Sequence, residues 1–234
     1  MLATGGDPQL TYWAGELNLV RGRYQDALTN FTRVKSEPGV RSRALEGEGI
    51  ALSALGRSQE AMTSLQAAVA ADPKAWRAWN ALGSEYDRRH DWEKAEAAYA
   101  HALTGSGDAA IVLNNRGYSR LSQRKPELAI PDFVAALQKK PDLAPARNNL
   151  RLAMSMQGEY DRAIKGAGAT DQAAVLNNAG YAALLRGDYA KAKELLTQAM
   201  KAKNGYYALA AANLELAQSL SKVDAGAEGH ASSR

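Results

Sequence analysis

Small and apolar residues recur along this chain at one fixed step. Gly15, Gly49, Gly83 and Gly117 stand 34 residues apart, and Ala27, Ala61, Ala95 and Ala129 keep the same step. Phe31, Leu65, Tyr99 and Phe133 form a third ladder in that register. Self-similarity at such a period marks an array whose unit is one supersecondary element. Within a unit the apolar residues follow helical spacing. Trp79, Leu82 and Tyr86 fall at i, i+3 and i+7, and Ala95, Tyr99 and Ala102 at i, i+4 and i+7. Each predicted helix therefore carries one apolar face. Asp72–Pro73 and Lys140–Pro141 end the second helices of their units, because the residue before a proline is pushed out of the helical region.

The stretch AWRAWNALGSEYDRRHDWEKAEAAYAHAL (75–103) carries the pattern most fully and resembles the tetratricopeptide repeat (TPR), a helix–turn–helix unit of this period. Small Gly83 and Ala95 let the two helices of that unit approach closely. Continued past Gly117, the register asks for a small residue at position 151, where Arg151 stands. Gly158, Tyr160 and Ala163 nevertheless keep the turn and second helix of a fifth unit, which runs into KGAGATDQ (165–172) and is about five residues short. Gly180, Gly187, Tyr189, Ala192, Leu196 and Ala199 restore the pattern in a sixth. The expected architecture is an all-α solenoid of six repeats, at about 8–41, 42–75, 76–109, 110–143, 144–172 and 173–205. A helix over 206–220 would cap the last apolar face, making one domain of 8–220, and the small, polar residues 221–234 would form a disordered tail.

Composition narrows the chemistry. The chain is rich in Ala and Leu and has two Phe, which favours helix over sheet. A net charge of +4 with both signs interspersed gives no basic stripe for nucleic acid. Cysteine is absent, which removes disulfides, thiolate metal sites and Cys nucleophiles. No apolar run reaches the roughly 20 residues needed to span a bilayer. The start, MLATGGDPQ, lacks the charged and apolar regions of a signal peptide. His90, His101 and His230 have no metal-ligand spacing, and GAG at 166–168 follows no strand. No catalytic residue, metal site or cofactor is therefore expected.

Binding is the remaining class, and the TPR resemblance implies that the first helix of each repeat lines an inner, concave surface. With Gly83 as position eight, position five reads Tyr12, Glu46, Asn80, Asn114, Asn148 and Asn177. Position six adds Asn115, Asn149 and Asn178 in repeats four to six. An Asn side chain both donates and accepts, so a ladder of amides can pair with the backbone of an extended peptide. At position six the same amides can instead serve only neighbouring helices. Tyr118, Leu152, Met156, Tyr181 and Leu185 add apolar or amphipathic groups to that predicted face, as peptide capture requires. In the amino-terminal half, Arg43 and Arg77 would put cations on the inner face, suited to an acidic segment.

Three stretches carry a narrower resemblance. RNNLRLAMSMQGEYDRAI (147–164), VLNNAGYAALLRGDYAKAKELLTQAMKA (175–202) and NGYYALAAANLELAQ (204–218) resemble, in that order, the TadD family, TPR lipoproteins of bacterial Flp/Tad (tight adherence) pilus systems. The LNN-x-G phrase is also similar to that of the TPR pilotins of type IV pili. The resemblance implies a periplasmic protein held at the outer membrane by a lipid on an N-terminal Cys, a residue this sequence lacks. It further implies a partner in the secretin channel or another pilus-machine component. The alternative expectation is a cytoplasmic TPR adaptor or scaffold in an unrelated multiprotein complex.

Overall fold

The structure is a computed structural model, and it describes residues 7–105, 107–203, 205 and 207–231, with side chains to Val223. Among the described residues thirteen helices follow one another. Six pairs come first: α1 (Pro8–Val20) with α2 (Tyr24–Val34), α3 (Arg41–Ala54) with α4 (Ser58–Ala71), α5 (Trp76–Arg88) with α6 (Trp92–Thr104). Then come α7 (Ala109–Ser122) with α8 (Pro126–Lys139), α9 (Ala144–Met156) with α10 (Tyr160–Ile164), and α11 (Gln172–Leu185) with α12 (Tyr189–Ala202). α13 (Ala208–Ala231) closes the chain. No strand occurs among the described residues.

The three ladders are the contact points within pairs. A Cβ on Gly83 would lie 2.6 Å from the Tyr99 ring, and one on Gly49 would lie 2.5 Å from Leu65. Only glycine lets these first and second helices close to such a distance. Phe31, Leu65, Tyr99 and Phe133 are all fully buried. The turn inside each pair needs one residue of positive φ, supplied by Gly22, Gly56, Gly158 and Gly187 and, at φ 58° and 59°, by His90 and Arg124.

Contacts divide the chain into two compact units, one ending at Ser119 and one beginning at Arg120, so the division falls inside α7. The sequence expectation was a single domain over 8–220. The first unit holds its cores around Phe31, around Leu65 and Leu82, and around Tyr99. The second holds one around Phe133 and another that joins α11, α12 and α13 through Leu176, Leu195, Ala210 and Ala217.

Two features depart from a regular array. α10 has five residues, as the shortened fifth repeat predicts. α13 runs on to Ala231, past Leu220, where a disordered tail is expected. Adding a residue to an existing helix avoids the cost of nucleation, and Ala, Lys and Glu propagate it well. Tyr206, at the expected start of the cap, and residues 232–234 lie outside the described residues.

Candidate functional site

In the first unit, α1, α3 and α5 bring together the residues expected to line an inner face. Arg77 donates to Glu16 Oε2 at 3.1 Å and lies 3.2 Å from Glu46 Oε1. Glu46 Oε2 accepts from the Ala78 backbone N–H at 3.2 Å. Burial raises the Glu46 pKa, and Arg77 together with the Ala78 N–H opposes that rise. Burial alone would lower the Arg77 pKa, but Glu46 and Glu16 outweigh it and raise it. The cation expected here for an acidic segment is thus already shared between two carboxylates of the chain itself. Arg43 is exposed, stacks 4.8 Å from the Tyr12 ring centroid and donates to Gln9 and the Gly39 carbonyl.

The amides of this unit bond to one another. Asn114 donates to Asn115 Oδ1 at 3.2 Å, and Asn115 donates to Asn80 Oδ1 at 3.1 Å, linking α7 to α5. Position six therefore serves a neighbouring helix here. All three side chains are half-buried, while Tyr118 is exposed.

In the second unit the candidates separate. Asn177 is only 2% exposed and accepts from Asn213 of α13 at 3.1 Å. It also donates to Asn178 at 3.4 Å. Asn177 is expected on the groove, yet it tethers the capping helix, because α13 closes over that face of α11. Leu152 and Met156 are half-buried against the cluster of Leu121, Ala129, Phe133 and Ala153. Asn149 is half-buried. Asn148, Asn178, Tyr181 and Leu185 are exposed.

α9 and α11 enclose a cleft of about 320 Å³ whose lining includes Arg147, Asn148, Arg151, Leu152, Val175 and Asn178, together with Asp171. Asn148, Leu152 and Asn178 are the sequence candidates that line it, with the Asn178 carbonyl oxygen already taken by Asn177. Arg147 and Arg151 were not among the candidates, and they make the cleft cationic against one carboxylate. Arg151 was nonetheless signalled by its break in the register. At the same position Gly83 packs under Tyr99 and Gly180 under Leu196, each 16 residues further on. The counterpart for Arg151 is Ala167, which lies beyond the end of α10. With α10 ended before Ala167, the Arg151 guanidinium extends to the Gly166 carbonyl at 3.1 Å. The short α10 and the arginine are thus one local change, and the cleft lies beside it.

Comparison with known proteins agrees with the packing. A family profile for the tetratricopeptide repeat matches residues 47–110 and 80–145, and a second matches 173–206. Together they take in more than half of the chain. The chain is a tetratricopeptide-repeat protein. Among solved TPR structures it is similar to YrrB, described as a TPR protein with an unusual peptide-binding site. The identity is 22% and the TM-score 0.60, over 77% of this chain and 95% of that one. It is likewise similar to PilF of Pseudomonas aeruginosa, at 17% identity and a TM-score of 0.67 over 91% and 96%. Both likenesses are of fold. The probable UDP-N-acetylglucosamine–peptide N-acetylglucosaminyltransferase SPINDLY of Hordeum vulgare is 31% identical over 151 residues, 62% of this chain and 16% of that protein. This TPR protein thus spans about a sixth of that relative. Among the described residues no cluster of His, Asp or Glu could hold a metal ion, and no helix is long and apolar enough to cross a membrane.

Proposed function

We propose that this protein is a non-catalytic assembly factor of a bacterial Tad/Flp pilus that acts as a pilotin and captures a peptide segment of the outer-membrane secretin. TPR folds are protein-interaction scaffolds, and the α9–α11 cleft is the observation that carries the reading. It offers the exposed amide of Asn148 and the amide N–H groups of Asn178 to a peptide backbone, and the apolar sides of Leu152 and Val175 to a side chain. Tyr181 and Leu185 continue the exposed surface of α11 by one and two turns. Arg147 and Arg151 favour a segment with an acidic residue. The sequence resemblance over 147–218 supports the pilus assignment, and the likeness in fold to PilF is consistent with it. In this reading the protein works in the periplasm, tethered by a lipid on a residue outside this sequence.

The test is titration of fluorescein-labelled peptides tiling the termini of a Tad secretin, followed by anisotropy. Asn148→Ala combined with Asn178→Ala should weaken the best peptide about tenfold or more while the far-UV circular dichroism stays unchanged. Equal binding to both proteins would remove the cleft from the reading. Failure of every secretin peptide to bind would remove the secretin.

A further inference from the structure

The solvent face of α1 is inverted in polarity. Its exposed residues are Leu10, Trp13, Ala14, Leu17 and Val20, with no polar side chain among them. Leu10 is 68% exposed, Trp13 54%, Leu17 48% and Val20 85%. Scattered exposed apolar residues are ordinary, but an aligned set marks a surface that another body covers. One repeat later, four of the five register positions, Ala44, Gly47, Glu48 and Ala51, are buried, and Ala54, the counterpart of Val20, is exposed. From Leu10 to Leu17, α1 thus presents the face that α3 buries, and it presents it with large side chains.

We propose that this face pairs with α1 of a second copy of the chain, the two helices running antiparallel about a two-fold axis level with Gly15. Three observations select that occupant. The 3-4-3 spacing is that of a seam between two helices, and it is symmetric about position 15. Antiparallel pairing therefore sets Trp13 against Leu17 and Leu10 against Val20 of the other copy, the self-complementary pattern a two-fold interface requires. The helix is also depleted in charge as interface cores are, since its one charged residue, Glu16, is held by Arg77. Finally, the charges that flank the stripe lie at opposite ends: exposed Asp7 before the helix, exposed Arg21 and Arg23 after it. Antiparallel pairing brings Asp7 of each copy to the arginines of the other and also opposes the helix dipoles favourably.

Sedimentation velocity of the chain from about 1 to 100 μM, the range in which small interfaces associate, tests the pairing. The unsubstituted chain should move from monomer to dimer. Leu17→Glu, at a solvent-facing position, should remain monomeric with an unchanged circular dichroism spectrum. Arg21→Asp with Arg23→Asp should weaken the dimer at least threefold, while the Asp7 carboxylate keeps its cap on the Gln9 N–H. Because the chain has no cysteine, single-cysteine variants fix the geometry. A mixture of Leu10→Cys and Val20→Cys should form a mixed disulfide, and Leu10→Cys alone should not. A chain that stays monomeric throughout hands this face to another protein or another segment and overturns the proposal. So does a dimer that survives Leu17→Glu, or one in which Leu10→Cys cross-links to itself.

Discussion

Glu46 shows at a single residue how the repeat stack holds charge inside. Its burial raises its pKa from an ordinary 4.5, against the pull of Arg77 and the Ala78 N–H, while Glu16 and Asp72 push it further up. A carboxyl whose folded pKa is raised holds its proton more tightly folded than unfolded. Its contribution to stability is therefore fully present below 4.5 and is lost as pH rises through the folded value. Glu46→Gln deletes that titration and keeps the shape. Relative to the variant, the parent protein should lose stability as pH climbs from below 4.5 through the raised pKa, and the two curves should run parallel above it. Asp87, also raised by burial, titrates in both proteins and cancels from the comparison. Urea unfolding followed by tryptophan emission reads the effect, since Trp13, Trp76, Trp79 and Trp92 all lie in the first unit. Curves that stay parallel through the acid range would show that Glu46 titrates normally.

At the scale of the helices, the useful signals were those the backbone enforces. The Gly15, Gly49 and Gly83 ladder was legible because two helices in contact leave no room for a Cβ, and the turns at Gly158 and Gly187 because a positive φ favours glycine. The shortened α10 was legible for the same reason, as a gap in the register. The candidate site was less so. Asn177 shares its register position with Asn148, yet one is buried and the other open, because only α11 has α13 lying over it. The partner of Asn177 is Asn213, 36 residues away. The pairing of Arg77 with Glu16 spans 61 residues and exists only once three first helices stack. Charge at one sequence position does not tell which neighbour will use it. Asn213→Ala tests the tether directly: it leaves the Asn177 carbonyl oxygen buried without its donor, which should cost about 1–3 kcal/mol of stability in a circular-dichroism melt. Asn177→Ala added to it should cost less than the sum of the two single changes, because the orphaned oxygen is gone. Additive losses would mean that the two amides do not interact.

At the scale of the molecule, the question is whether the two compact units melt as one body. In a repeat array, stability is a sum of terms within repeats and between neighbours, so cooperativity can break where the chain divides. Equivalent lesions can be placed on each side. A Cβ on Gly83 would stand 2.6 Å from the Tyr99 ring, and one on Gly180 2.7 Å from Leu196 Cγ. Gly83→Ala and Gly180→Ala should each cost about 1–3 kcal/mol through overpacking between a first and a second helix. Tryptophan emission sees only the first unit, while far-UV circular dichroism sees the helices of both. If the division inside α7 is energetic as well as geometric, Gly83→Ala shifts the emission transition and Gly180→Ala leaves it in place. The Gly180→Ala loss should then appear only in the circular-dichroism transition, as an earlier phase of helix loss. Two variants that shift both signals alike would mean that the array unfolds as a single cooperative domain, as the unbroken repeat register of its first four units suggests.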